Sequence, residues 1–390
     1  MLLGIYYDGV EIHREDKIIY ARFLAPHRVI STCRMAGGIR DDLTHLYNHQ
    51  SCEPKGHQRP VHGLATSDPA AYHRAARAGS GLPETGCAAL GTAANMRFAA
   101  IRRETFREIE VVAVCTGGVE GNAGRAGDPA TVYEWDGAYE RVGEREPVAH
   151  GTINTLIFIN HELTHGAMVR TVMTATEAKT AALQELAVNS RYSDGLATGT
   201  GTDQIGAASR LHTGAPLTGA GKHCVLGELI GKTVHDAVRE TLMLQNGLTP
   251  AGQRSATIHL ERFGTSRAEL AEAVAAHLGE ADGDVLRRNF KVIERDPLVV
   301  AAVAALAHLR DKMTWGVLPE SCAAEIWAAY GAQLAAAVSG DYSMMRAYMD
   351  ALAEKRRAPG NAGLVELAAH AIALGFRDKW RDNPSGGEEA

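Results

Sequence analysis

The chain has 390 residues, 45% hydrophobic and 22% charged, with a formal charge of −6. That length exceeds one average domain and that composition excludes wholesale disorder, while the acidic balance argues against a nucleic-acid partner, whose footprint is basic. The cleanest apolar run, Leu298 to Ala307, is about half what a membrane-spanning helix needs, and MLLGIYYDGVEIHRED lacks the basic start of a signal peptide, so a soluble, cytoplasmic protein is expected.

From the N-terminus, residues 51–85 are polar, bear proline and histidine, and show no period; they read as an extended loop. EIEVVAVCT (108–116) and GTINTLIFIN (151–160) are rich in β-branched residues and read as buried strands. A long helix follows the second, with Thr164 as its N-cap. Nine glycines between 195 and 231 suit a loop wrapped around a ligand, with a run of turns and a long surface loop as the alternative. Beyond Pro250 the pattern turns helical. Ser266-Arg-Ala-Glu269 is a capping box, Gly279 stands where a C-terminal cap would, and Asp296-Pro297 opens the next helix. Further helices are expected at about 320–338, 342–357 and 362–376, with a frayed tail, PSGGEEA.

Four segments could carry chemistry. Thr116 to Pro129 follows a buried strand and sets Glu120, Asn122, Arg125 and Asp128 among five glycines, as an oxyanion or amide-binding loop would. Glu177 and Lys179 lie two residues apart on the long helix and diverge around it, so one can face inward; a glutamate among small and apolar neighbours is a candidate for a raised pKa. In ATGTGTD, Thr198, Thr200 and Thr202 would share one strand face and end on Asp203, a row of hydroxyls for a polar cleft. His161-Glu-Leu-Thr-His165 is a literal H-E-x-x-H, but a strand precedes it and the helix starts at Thr164, so the two rings need not converge. Six cysteines form no C-x-x-C and read as reduced, buried thiols. Thirteen of the 17 histidines lie at or before His235, which points polar chemistry to the first part of the chain.

Together these stretches resemble the adenosylcobinamide amidohydrolases of corrinoid salvage. The matching segments are Ser31 to Gln50 (STCRMAGGIRDDLTHLYNHQ), Gly91 to Ala99, Thr116 to Ala130, Gly151 to Leu186, Ala197 to Asp203 and Gly227 to Val234, in the family's order. The helical extension resembles that of the longer, archaeal-type members. The resemblance implies hydrolysis of the amide joining aminopropanol to the corrin ring, giving adenosylcobyric acid. A fainter likeness, to the ornithine acetyltransferase type of αββα sandwich, would put Thr92 near that fold's nucleophile.

The expected fold is α+β, a layered α/β sandwich with αββα as one option, over 1–250, followed by an all-helical part over 251–390. Glu120 or Glu177 is the expected base, Asn122 and Asn154 the polarising donors, and Asp128 a further catalytic candidate that with Arg125 holds the loop. Substrate contacts are expected from Gly37, Gly38, Asn48, His49, Thr92, Arg125, Lys179, Thr198, Thr200, Thr202 and Asp203. Whether water or Thr92 attacks stays open. No cofactor and no metal ligand is expected, cobalt entering only within the corrinoid. The expected partner is that small molecule, with no nucleic acid and no membrane; a homo-oligomer is left open. Two rivals stand beside this reading, a non-catalytic corrinoid carrier and a zinc peptidase built on His161-Glu162-x-x-His165.

Overall fold

A computed structural model describes residues 1–53, 60–143, 150–353 and 360–380. The chain divides into two compact units, Met1–Thr249 and Pro250–Ala390.

The first unit begins with strands β1 (Leu2–Tyr6), β2 (Val10–Glu15), β3 (Ile18–Phe23), β4 (His27–Ser31), β5 (Gly38–Arg40) and β6 (His45–Gln50). Helices α1 (Pro60–Ser67) and α2 (Pro69–Arg77) lead to β7 (Cys87–Thr92), β8 (Ala100–Phe106) and β9 (Ile109–Gly118). Then come β10 (Ala123–Gly124), the exposed hairpin β11 (Val132–Trp135) and β12 (Ala138–Arg141), and β13 (Thr152–Ile159). Helix α3 (His165–Glu185), β14 (Gly199–Thr200), β15 (Gln204–Arg210) and α4 (Val225–Asn246) complete it.

Hydrogen bonding sorts the longer strands into two sheets, ordered β1-β2-β3-β6-β7 and β5-β4-β15-β13-β9-β8. Only two neighbours are parallel in them, β6–β7 and β13–β15. Parallel neighbours need a crossover, and α1 with α2 supplies the first while α3 supplies the second. Side-chain alternation on β9 and β13 then fixes the layers. Val111, Ala113, Ile153 and Ile157 pack on α3 and α4, whereas Val112, Val114, Leu156 and Phe158 pack on Leu46 and Leu90 of the first sheet. The far face of the first sheet meets α2, where Tyr47 and His49 hydrogen-bond His73 and Tyr72. The layers run helix, sheet, sheet, helix, so the expected sandwich takes its αββα form. Burial contributes roughly 1.5–3 kcal/mol for each such large apolar side chain.

Both expected strands are present, antiparallel to one another, and α3 starts at Thr164, whose hydroxyl accepts from Ala167 N. Within the span expected as a loop, residues 60–67 and 69–77 form α1 and α2, the second capped by Asp68 accepting from Ala71 N at 2.9 Å. Eight and nine residues are too short for a helical period to stand out, and Pro60 and Pro69 occupy the first turns of these helices.

The second unit holds α5 (Pro250–Gln253), α6 (Ala256–Glu261), α7 (Arg267–Ala275), α8 (Glu280–Glu294), α9 (Pro297–Thr314), α10 (Ala323–Ser339), α11 (Met345–Ala353) and α12 (Gly360–Asp378). The Ser266 capping box and the Asp296 cap are present as read. Gly279 is a correction. Its φ of −68° and ψ of 161° are extended, and it precedes α8 as N-cap, while α7 ends at Ala275 with Ala276 as its C-cap. At Gly375 of α12 an added Cβ would lie 2.2 Å from the Ala335 carbonyl oxygen, so α10 and α12 cross at backbone contact. The expected tail and residues 354–357 lie outside the described residues.

Candidate functional site

Register places polar residues where the two sheets face each other. Asn154 of β13 pairs with Thr116 of β9 and with Gln204 of β15, so the three stand in one row on the face toward the first sheet. There Asn154 Nδ2 donates to Asn48 Oδ1 at 2.8 Å and to the Gly91 carbonyl at 2.9 Å. Asn48 Nδ2 in turn donates to Thr116 Oγ1 at 2.7 Å, and Gly91 N donates to Gln204 Oε1 at 3.2 Å. A polar seam thus crosses an apolar interior, satisfied except at Asn154 Oδ1, which has no hydrogen-bond partner among the described residues. An unmet buried acceptor costs about 1–3 kcal/mol, so a seam kept at that cost has a use.

The seam ends at a cavity of about 430 Å³. Its walls come from the residues after β6 (Ser51, Cys52), α1 (His62), the end of β7 (Gly91, Thr92), Asn122, the entry to β13 (His150 to Thr152) and the turn into β15 (Gly201 to Gln204). Cys52, His62 and His150 converge there, with one potential ligand atom from each lying within 4.8 Å of the others. Ser51 Oγ lies 3.0 Å from His62 Nδ1, and the His62 and His150 rings meet edge to face at 4.8 Å. Burial pushes the Cys52 thiol above its ordinary range, against a Ser51 hydrogen bond that lowers it. Burial, and then the neighbouring His150, hold His62 below its ordinary value. Burial raises the Tyr72 phenol well out of range, opposed by the Ser51 hydroxyl. On the same cavity's lining, Asn122 Nδ2 reaches Thr202 Oγ1 at 3.5 Å, while its buried Oδ1 meets no partner among the described residues.

The sequence candidates separate into four groups. Asn122, Thr92, Thr202 and Asp203 line the cavity, and Asn48 and Asn154 form the seam behind it. The unmet atom of Asn122, and that of Asn154, is an acceptor rather than the polarising donor expected of each.

A second group holds the chain in place. Asp128 Oδ2 accepts from Arg125 N at 2.7 Å and from Ser190 Oγ at 2.6 Å, and Arg125 Nη1 donates to the Leu196 carbonyl at 3.3 Å. Thr198 Oγ1 accepts from Ala126 N at 2.9 Å, and Thr200 Oγ1 donates to Asp203 Oδ1 at 2.6 Å. The threonine row therefore turns inward as loop fastenings, because β14 is only two residues long. Thr202 alone of the three lines the cavity. Lys179 faces inward and pairs with Asp203.

Glu177 corrects the reading of a buried base: it is half exposed and pairs with Lys222 across the surface. Glu120 is exposed, and neither glutamate lines the cavity.

Gly37, Gly38 and His49 also lie outside its walls. An added Cβ at Gly37 would meet the Cys33 carbonyl oxygen at 2.1 Å, and Gly38 has a φ of +76°, so both serve the turn into β5. His49 lies on the sheet face toward α2, bonded to Tyr72 at 3.0 Å. In the H-E-x-x-H segment, the Glu162 carboxylate accepts from His212 N at 2.9 Å, and neither histidine joins a metal-type cluster among the described residues. That arrangement does not build a zincin site. Cys52, His62 and His150 were missed because they lie 10 and 88 residues apart, on no motif spacing, and only folding brings them together.

The adenosylcobinamide amidohydrolase family (CbiZ) matches residues 4–250. The chain belongs to that family. The seam, the cavity and both sheets, apart from the first two residues of β1, lie within the family match, and all but the first residue of the helical unit lies beyond it. The uncharacterized protein MJ1613 of Methanocaldococcus jannaschii is 39% identical over 171 residues, which are 43% of this amidohydrolase-family chain and 66% of that relative. The chain therefore spans slightly under two thirds of the relative's length. No helix among the described residues is long and apolar enough to cross a membrane.

Proposed function

We propose that this cavity hydrolyses the amide joining aminopropanol to the corrin ring of adenosylcobinamide, releasing adenosylcobyric acid. The observation that carries the reading is a cavity within the family-matched sandwich that ends in polar groups poised for an amide. Asn122 and Thr202 both line it, with Asn122 Nδ2 reaching Thr202 Oγ1 at 3.5 Å, and an amide beside a hydroxyl suits the scissile amide or the departing amine. A volume of about 430 Å³ suits one amide arm of the substrate and not the macrocycle, which leaves the ring at the cavity's opening. In this reading the seam fixes Gly91 and Gln204 in the wall, and Asp203 with Lys179 fixes the turn that presents Thr202.

The test is incubation of purified protein with adenosylcobinamide, following released aminopropanol and the mass of the corrinoid product. Stoichiometric release is expected, and Asn122→Leu should lower kcat/KM by roughly 10–100-fold, as for loss of one charge-assisted hydrogen bond. Tight corrinoid binding without any amine release would make the protein a carrier and overturn the proposal.

A further inference from the structure

Among the described residues one cluster combines three side chains that bind transition metals, and none of the sequence motifs contains it. Cys52 follows β6, His62 stands in α1, and His150 immediately precedes β13. Chain separations this long leave no local reason for the three to meet, yet their potential ligand atoms lie within 4.8 Å of one another on a cavity wall.

We propose that Cys52, His62 and His150 hold one divalent transition-metal ion, zinc by ligand chemistry, at the cavity wall. The proposal rests on the amidohydrolase reading for its role in catalysis, and not for the binding itself. A thiolate with two imidazoles is a soft-to-borderline donor set that selects zinc over magnesium or calcium. Bond lengths of about 2.3 Å to sulfur and 2.0–2.1 Å to nitrogen put tetrahedral ligand atoms roughly 3.3–3.6 Å apart. The three side chains therefore need to draw in by at most about 1.5 Å, within reach of rotamer adjustment.

The surroundings match what such a ligand set requires. A metal-bound histidine is oriented by a partner on its other ring nitrogen. His62 has that partner in Ser51, 3.0 Å from Nδ1, which leaves Nε2 for the ion. Ser51 is itself held, its backbone N donating to the Thr92 carbonyl at 2.9 Å and its hydroxyl meeting Tyr72, which in turn bonds His49. Structural zinc sites are closed by four protein ligands, whereas catalytic ones use three and keep a position for water. Three ligands facing a cavity fit the second pattern.

An ion there would polarise the bound water and the substrate carbonyl. In the hydrolysis the water oxygen bonds to the amide carbon and the carbon–nitrogen bond breaks. One water proton passes to the departing amine and the other leaves as the acid ionises. Asn122 and Thr202, on the same cavity wall, supply the neighbouring polar groups for that nitrogen.

The test uses the full chain, stripped with a chelator and reloaded with zinc or with cobalt(II). Elemental analysis should find about one zinc per chain, and the cobalt form should show the near-ultraviolet thiolate-to-metal band together with intense tetrahedral visible bands. Cys52→Ser should abolish the thiolate band, and His62→Ala or His150→Ala should weaken metal affinity at least tenfold. The spectrum of the unsubstituted protein decides the matter even if a variant fails to fold. Absence of bound zinc together with a cobalt spectrum lacking the thiolate band overturns the site. So does amine release that survives exhaustive chelation but is lost on alkylating Cys52, which would make the thiol a nucleophile. Metal bound as stated with no amine release supports the site and refutes the amidohydrolase reading instead.

Discussion

His27 shows how strongly one side chain can be set by its burial. It is fully buried on β4, with Nδ1 2.7 Å from the Ala25 carbonyl and Nε2 3.1 Å from the Tyr7 hydroxyl. Desolvation lowers its pKa from 6.5 to about 4; the Ala25 hydrogen bond opposes this and the Arg210 charge adds to it. Between those two values the unfolded chain binds a proton that the folded one excludes. Stability contributed by neutral His27 is therefore present above pH 6.5, is lost as pH falls toward 4, and changes no further below that. By pH 5 the loss should be about 2 kcal/mol. Urea unfolding at pH 7 and pH 5 should show His27→Gln to be less acid-sensitive than the parent by that amount; equal slopes would mean that His27 titrates normally. At this scale the sequence was informative about polar residues near glycine loops, and Asn122, Thr202 and Asp203 do line the cavity. It misled on Glu177, because a helix with small residues around a glutamate leaves open which face is covered. It was silent on Cys52, His62 and His150, whose proximity is a property of the fold.

Among the elements, the turn from β14 into β15 depends on Asp203. Its carboxylate accepts from Ile153 N at 2.9 Å, from Thr200 N at 3.0 Å and from the Thr200 hydroxyl, and it pairs with Lys179 of α3. Gly199 is required beside it, since an added Cβ would lie 2.3 Å from Asp203 Oδ2. One side chain thus ties β13, β14 and α3 together at the cavity wall. Asp203→Ala would leave Lys179 uncompensated in a largely buried place and two backbone N–H groups without their acceptor. A loss of about 3–5 kcal/mol is expected from chemical unfolding. Asp203→Asn, which keeps one acceptor oxygen, should lose less; equal losses would show that the ammonium and not the N–H groups dominates. The long elements here were legible. β9 and β13 are rich in β-branched residues, and α3 combines an N-cap with a 21-residue run in which small and aliphatic residues are frequent. Short ones were not: α1 and α2 span too few turns to show a period, and α8 was hidden because Gly279, an N-cap here, read as the end of α7.

Across the whole molecule, hydrophobic burial is partitioned by unit. One buried cluster draws only on residues from Ala256 to Phe376, and the two others only on residues from Val10 to Leu242. Each unit is of ordinary domain size with a core of its own, which is the condition for folding independently. The family match stops at residue 250, and every residue assigned here to the seam, the cavity and the metal cluster precedes it. The chemistry should therefore reside in the first unit. A fragment of residues 1–249 should fold cooperatively, retain the cobalt spectrum and release aminopropanol within about threefold of the full chain's rate, a difference under 1 kcal/mol in barrier. Calorimetry of the full chain should resolve two transitions, one of which the fragment reproduces. A folded fragment that binds corrinoid and metal but gives no turnover would place a group needed for hydrolysis in the helical unit. A fragment that cannot fold would make that unit a scaffold for the sandwich, and the two transitions should then merge into one.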